Sequence, residues 1–352
     1  MQREKKTRNS SGELIRILAM LMIVISHYST HGKIDIYQYA PRANASLLYL
    51  QLLSMGGNIG LNLFIIVSGY YLSSSKFKIE RIVSIVSHTT LYTVICYVIC
   101  SGGAFILQDI MQAVFPVVYN QYWFITGYVG LYCIFPYINL TLEQLDKFGF
   151  RKLIVVLFFM MSLIPFIFNT NFVLSDLPWF VFMYCIGAYL RKYGIPEVLN
   201  YWKLWIAGST FIVLCLLVII FHYTGNFIPL FRIHATYFNA KESPLIVLLV
   251  VMLFSIIMDI HISSTVINKV GACMMGVYLF HENPYVRSTI WNYVNNSQYY
   301  DSTLKLVINS ICTTIIVCGA GCIIELFISK INDILTTVIC KVIGGRTSGD
   351  RI

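Results

Sequence analysis

The sequence predicts an all-α integral membrane protein, with about ten transmembrane helices and both termini cytoplasmic. Three observations carry that expectation. Of 352 residues, 57% are hydrophobic and only 12% are charged, where a soluble domain needs about a quarter charged residues to cover its surface. The apolar residues fall in long blocks, and the mean hydropathy is +0.72. The basic residues gather in alternate loops between those blocks.

A span needs about 20 mostly apolar residues. Blocks of that kind lie at 13–31, 47–72, 81–101, 121–140, 151–168, 175–192, 203–222, 242–260, 270–290 and 303–328. The fourth is short and rich in aromatic residues, and the sixth begins with Asp176 and Pro178. With the N-terminus inside, the inner segments hold eighteen of the 25 Lys and Arg residues: Arg3, Lys5, Lys6, Arg8, Lys76, Lys78, Arg81, Lys147, Arg151, Lys152, Arg191, Lys192, Lys203, Lys269, Lys330, Lys341, Arg346 and Arg351. The outer loops hold five, Lys33, Arg42, Arg232, Lys241 and Arg287, while Arg16 and Lys305 fall inside proposed spans. Such a split favours an even number of crossings. The expected organisation is a basic cytoplasmic N-terminus (1–12), a ten-helix membrane domain (13–328) and a basic cytoplasmic tail (329–352).

The net charge of +9 finds its explanation in this placement, and nucleic acid is not an expected partner. Ala43-Asn44-Ala45 resembles a signal-peptidase site, but it lies far beyond the first apolar run, which also carries Arg16 and His27; an uncleaved helix is expected. The ten cysteines sit almost entirely within apolar blocks, and Cys96/Cys100 and Cys318/Cys322 lie one turn apart with no histidine cluster nearby. They read as small helix-packing residues, and no metal site is expected.

Ionisable groups at membrane depth are costly and mark functional positions. Arg16 and His27 stand eleven positions apart in "GELIRILAMLMIVISHYS". At about 100° per residue, that spacing exceeds three whole turns by about 20°, so both side chains leave one face, about 16 Å apart along the axis. Glu13, three residues before Arg16, is placed to pair with it. A guanidinium near the inner end suits an anionic cytosolic ligand, and a deeper neutral imidazole suits a general base. The bland alternative has Arg16 snorkelling to the interface and His27 packed between helices.

In the second block, "GGNIGLNLFIIVSGYYL", Gly56, Gly57, Gly60 and Gly69 with Ser68 allow close helix approach, and Asn58 and Asn62 form a polar stripe. The fourth block opens with "NQYWFITGYVGLY", where Tyr122 and Trp123 suit an interfacial aromatic belt. The ninth ends in "GVYLFHENPYVR", placing an adjacent His281–Glu282 pair at the outer end of a span, where it is able to face His27 across a cavity. His88, Glu325 and Asp259 receive no role, and His31, His222, His234 and His261 are expected to be solvated or interfacial.

Taken in order, the Arg-X10-His first helix, the "G…G…LF…SG" second helix, "YWFI" and "GVYLFHENP" resemble membrane-bound acyltransferase family 3. Within it, the bacterial polysaccharide O-acetyltransferase branch is the most similar, over residues 9 to 330. The resemblance implies a ten-helix acyltransferase of the cell (plasma or inner) membrane that takes an acyl group, acetyl in the first instance, from cytosolic acyl-coenzyme A. It places the acyl group on a hydroxyl of a cell-envelope or capsular polysaccharide or its lipid-linked precursor. Acetyl-coenzyme A is then a donor substrate, and no permanently bound cofactor is implied.

By the same resemblance, His27 is the catalytic histidine, with Arg16 as its motif partner and Glu13 beside it. Ser68 and Gly69 line the donor passage, and Trp123, His281 and Glu282 meet the acceptor. Arg16 with Lys76, Lys78 and Arg81 would hold the coenzyme A phosphates. Phe64 is followed by Ile65 where many members carry a second phenylalanine, and Asn62 stands where an acidic residue or proline is common. The rival reading is a transporter or flippase of a lipid-linked sugar, since polar residues on one helix face also suit a translocation path.

Overall fold

The computed structural model describes residues 9–36, 44–103, 105–170, 176–228, 230–231 and 234–347, with side chains to 343. Arg3, Lys5, Lys6, Arg8, Arg42, Arg232 and Arg351, and the side chain of Arg346, lie outside the described residues. Among those described, the chain is helical throughout and has no strand.

The helices in chain order are α1 (Ser11–Thr30), α2 (Ala45–Leu72), α3 (Ile79–Cys100), α4 (Leu107–Val114) and α5 (Trp123–Gln144). Then come α6 (Lys147–Phe158), α7 (Ile164–Phe168), α8 (Asp176–Tyr193), α9 (Glu197–Thr224) and α10 (Pro244–Met258). The last are α11 (Thr265–Ala272), α12 (Met274–His281), α13 (Arg287–Val294) and α14 (Thr303–Thr347). Among the described residues, seven stretches are long and apolar enough to cross a membrane: α1, α2, α3, α5, α6 with α7, α9 and α14. The apolar α10 is shorter, at 15 residues, and α8 carries Asp176, Arg191 and Lys192 within its 18 residues. Large apolar side chains on α9 and α14 point outward; Trp205 is 75% exposed and Ile316 67%. In water such a surface would aggregate, and in lipid it is matched to its solvent.

Two blocks depart from simple spans. The ninth is not one helix across 270–290. The Cys273 N–H closes on Val270 O at 3.0 Å, a tight turn that separates α11 from α12. α12 then stops at His281, three residues before Pro284, whose ring disfavours helix in the residue preceding it. The fifth is interrupted at Phe159–Leu163 by a π turn. Pro165, just beyond, offers no N–H to the ladder, and Ser162 Oγ uses the widened turn to donate to Glu242 O at 2.6 Å. The final helix runs on past residue 328 to Thr347.

The bundle is organised around α2, which packs most extensively on α1 and next on α8. Glycine makes both approaches close. A Cβ built on Gly56 would lie 2.8 Å from Met22 O, on α1. One on Gly69 would lie 2.8 Å from Tyr184 Cα, and one on Gly187 2.8 Å from the Tyr70 backbone nitrogen, so α2 and α8 touch through reciprocal glycines. Asn62, fully buried, ties three segments: it donates to Lys241 O at 3.0 Å and accepts from Trp179 Nε1 at 2.9 Å. Asn58 donates to Asn239 O at 2.7 Å, fastening α2 to the turn before α10. At the start of α1, the Ser10 N–H donates to Ile262 O at 2.7 Å.

Gly187→Val should therefore lower stability by about 1–3 kcal/mol, the usual cost of overpacking. Gly208→Ala, where a new Cβ meets nothing within 4 Å, should leave stability unchanged or slightly raised. Thermal unfolding in detergent, followed by fluorescence, separates the two.

Candidate active site

A cavity of about 1140 Å³ lies along the α1–α2 seam. From α1 and the residues before it, Asn9, Glu13, Arg16, Met20, Ile23, His27 and Thr30 line it, with successive spacings of four and three. That is one face of an α-helix. From α2, Gly57, Leu61, Phe64, Ser68 and Tyr71 present the matching stripe.

At the end of the cavity near the start of α1, Arg16 Nη1 donates to both oxygens of Glu13 at 2.9 Å, and its guanidinium lies 6.0 Å from the Tyr71 ring. Arg191, from the end of α8, lies 4.9 Å from the Tyr70 ring centre. Arg81 also lines the cavity. The three guanidiniums make this end cationic, and Glu13 offsets one of them.

At the other end, His27 meets residues that fold in from the α12 terminus. His281 is fully buried, and its Nδ1 donates to Val277 O at 2.6 Å, an acceptor-only partner one turn earlier on α12. In the neutral ring this bond leaves Nε2 of His281 as an acceptor. His27 Nδ1 lies 3.1 Å from that Nε2 and 3.2 Å from Glu282 Oε1. His281 Nε2 accepts in the first contact, and Glu282 Oε1 lies close without hydrogen-bond geometry, so the proton of a neutral His27 resides on Nδ1, and its own Nε2 carries a lone pair. Glu282, buried to 7% exposure, also has Arg287 Nη1 at 3.3 Å from its Oε2 and His31 Nε2 at 3.2 Å from its Oε1. Trp291, buried behind these rings, stands edge-on to His27 with centroids 6.5 Å apart. Tyr237, on the loop before α10, also lines the cavity and donates to Phe166 O. Burial first, and then Glu242, pushes its phenol above the ordinary range, so it stays protonated as a donor.

Of the residues singled out in the sequence, Glu13, Arg16, His27, Ser68, Arg81, Trp123 and Glu282 line this one cavity. Four do not. Gly69 is used in the contact with Tyr184. Lys76 is exposed, and Lys78 precedes α3, its backbone N–H bonded to the Tyr132 hydroxyl at 3.2 Å. His281 sits behind His27 rather than on the cavity wall.

Some expectations need correction. His31 is gathered into the Glu282 cluster; its signal was the spacing of four from His27, which puts both rings on one face. His222, expected at an interface, is fully buried between Gln51 Oε1 at 2.7 Å and the Asn44 N–H at 3.1 Å. His88 and Glu325, given no role, form a buried cluster in which Glu325 Oε2 lies 3.0 Å from His88 Nε2 and accepts from Tyr92 at 2.9 Å. Arg191 and Arg287, counted only as loop charges, reach the cavity wall and Glu282 respectively. All ten cysteines are free thiols.

The fold and the cavity define a polytopic helical membrane protein whose internal site joins a cationic end to a histidine–carboxylate end. The chain matches the acyltransferase domain model over residues 10–330, and it belongs to acyltransferase family 3. It is accordingly a multi-pass membrane acyltransferase. Neither a curated protein nor a solved structure matches it.

Glu325→Ala should cost about 1–3 kcal/mol, because buried His88 and Tyr92 would lose their shared acceptor. Chemical denaturation in detergent micelles reads this. A midpoint equal to wild type would show that water replaces the carboxylate.

Proposed function

We propose that the protein moves an acyl group, acetyl in the first instance, from cytosolic acyl-coenzyme A to a hydroxyl of a cell-envelope or capsular polysaccharide or its lipid-linked precursor. In this reading the chain crosses the bacterial plasma membrane ten times with both ends inside. The seven long spans are joined by α8, α10 and the broken α11–α12 pair. The inner end of the cavity then faces the cytosol.

One observation carries the chemistry: the His281–Val277 bond sets the direction of the imidazole pair and leaves His27 Nε2 with a lone pair. His27 Nε2 takes the proton of the acceptor hydroxyl as its oxygen attacks the thioester carbonyl. The carbon–sulfur bond breaks, and the proton passes from His27 to the departing thiolate. Glu282 and His281 hold the Nδ1 side and stabilise the transient imidazolium, as in other carboxylate–histidine pairs. Positioning of donor and acceptor supplies much of the remaining acceleration.

The donor's phosphates meet Arg16, Arg81 and Arg191. These replace Lys76 and Lys78, which the cavity does not include. Arg191 over Tyr70 and Arg16 beside Tyr71 are guanidiniums held by aromatic faces, with N–H donors left for phosphate oxygens. The acyl arm runs past Ser68 toward His27, about 16 Å along α1 from Arg16. Trp123 flanks the same cavity, and Lys241 lies 5.5 Å from its ring centre.

The decisive measurement is transfer from radiolabelled acetyl-coenzyme A to host glycan by purified protein in nanodiscs. His27→Ala should remove about 10²- to 10⁴-fold of the rate while the protein remains folded. Normal transfer by that variant would sink the base assignment. Absence of any labelled ester with intact wild type would favour a transporter. In the same assay, Arg191→Ala should raise the donor KM by about 10- to 100-fold, the loss of one charge-assisted contact, with kcat little changed. Glu282→Gln should act the other way, lowering kcat with donor KM held.

A further inference from the structure

We propose that His27, His31 and Glu282 form a binding site for a divalent transition metal of the zinc type, whose occupancy silences transfer. The second half rests on the reading of His27 Nε2 as the base.

His27, His31 and Glu282 each offer a ligand atom within 4.8 Å of the other two, and the nitrogens nearest the carboxylate are His27 Nδ1 and His31 Nε2. Each nitrogen is 3.2 Å from Glu282 Oε1. Tetrahedral Zn²⁺ with bonds of about 2.0–2.1 Å separates neighbouring ligand atoms by about 3.3 Å. The two nitrogen–oxygen separations therefore already stand near the edge length that the ion requires.

Their directions point the same way. His31 Nε2 and Glu282 Oε1 are both inaccessible to solvent, and neither has a hydrogen-bond partner, despite the 3.2 Å between them. Distance permits a hydrogen bond there and angle does not. Two buried polar atoms left in that state are costly, and one ion between them satisfies both.

The surroundings fit as well. Arg287 engages Glu282 Oε2 and leaves Oε1 for the metal. His281 Nε2, 3.1 Å from His27 Nδ1, is at hand as a fourth ligand. Its Nδ1–H already donates to Val277 O, the outer bond that orients a metal-binding histidine. Two or three imidazoles with one carboxylate select zinc-like ions over magnesium or calcium.

Coordination has a chemical consequence. A neutral His27 bound through Nδ1 carries its proton on Nε2, so the lone pair needed for the acceptor hydroxyl is gone. Metal and substrate hydroxyl thus compete for opposite protonation of one ring.

The test uses the full chain in nanodiscs, carrying an affinity tag without histidines, stripped with chelator and titrated with Zn²⁺. One Zn²⁺ per chain is expected. X-ray absorption should show two or three imidazoles plus oxygen at about 2.0–2.1 Å. His31→Gln should weaken Zn²⁺ binding at least tenfold and raise the half-inhibiting Zn²⁺ concentration, read against the variant's own metal-free rate, by the same factor. Unchanged Zn²⁺ affinity in His31→Gln overturns the site. So does wild-type absorption showing sulfur ligands or oxygen alone, which decides the matter even if that variant misfolds. Zn²⁺ bound at these residues with transfer unaffected overturns the inhibitory role. Should wild type transfer nothing, the binding and absorption measurements still decide the site by themselves.

Discussion

The close approach of α1 and α2 is the contact on which the rest of the molecule depends. Between helices in lipid no hydrophobic gain remains, and association rests on packing and on polar contacts that lipid does not offer. Gly56 against Met22 O and Gly69 against Tyr184 bring three helix backbones together. With its glycines spent on these two contacts, α2 presents the stripe from Gly57 to Tyr71 to the cavity. α1 is thereby rotated so that Arg16 and His27 look onto the same space. A bulkier residue at Gly56 would push α1 and α2 apart, and one at Gly69 would push α2 from α8.

The second constraint is that polar groups at this depth find their partners inside the protein. The structure answers with small closed clusters. Gln51 and His222 satisfy each other, Asn62 joins Trp179 to Lys241 O, and Glu325 takes both His88 and Tyr92. Networks of this kind rigidify the walls. The Glu282 cluster differs from them. It holds one carboxylate among three imidazoles and a guanidinium, and it leaves His31 Nε2 and Glu282 Oε1 without hydrogen-bond geometry. Asn239 Oδ1, Ser243 Oγ, Asn268 Oδ1 and Trp291 Nε1 are also buried without partners, but Glu282 Oε1 and His31 Nε2 combine that state with an ionisable pair 3.2 Å apart, which marks where chemistry or a ligand completes the cluster.

Much of this was legible in the chain, for physical reasons that also explain what was not. Each of the ten apolar blocks coincides with helical structure, because length and apolarity are local properties. The pairing of Glu13 with Arg16, and the shared face of Arg16 and His27, follow from helical angle alone. The break at Cys273 was not legible, since it depends on a turn chosen by tertiary packing; Gly271 there lies close against Glu13. The roles of Arg191 and Arg287 were hidden because a charge near a helix end reads as topology until the neighbouring helix is known. His281 was found, but behind His27 rather than across the cavity from it, a distinction no spacing in one segment contains.

That last displacement changes what the site does. A histidine across the cavity would contact the acceptor, whereas one behind His27 decides which nitrogen of His27 holds the proton. The information passes along a chain of hydrogen bonds beginning at a backbone carbonyl, Val277 O, which accepts and never donates. Direction is thus imposed by α12 itself, and no side chain has to titrate for the pair to be oriented. In the proposed readings the same atoms would give one site two incompatible occupancies. Nδ1 of His27 either keeps its proton, engaged by His281 and Glu282, or gives it up to a metal. With the proton in place, the ring offers Nε2 to a hydroxyl. With a metal in its stead, Nε2 is a donor and has nothing to accept with. In the proposed reading the choice turns on the proton that His281 fixes, so the residue that would enable base catalysis would also set the threshold for losing it.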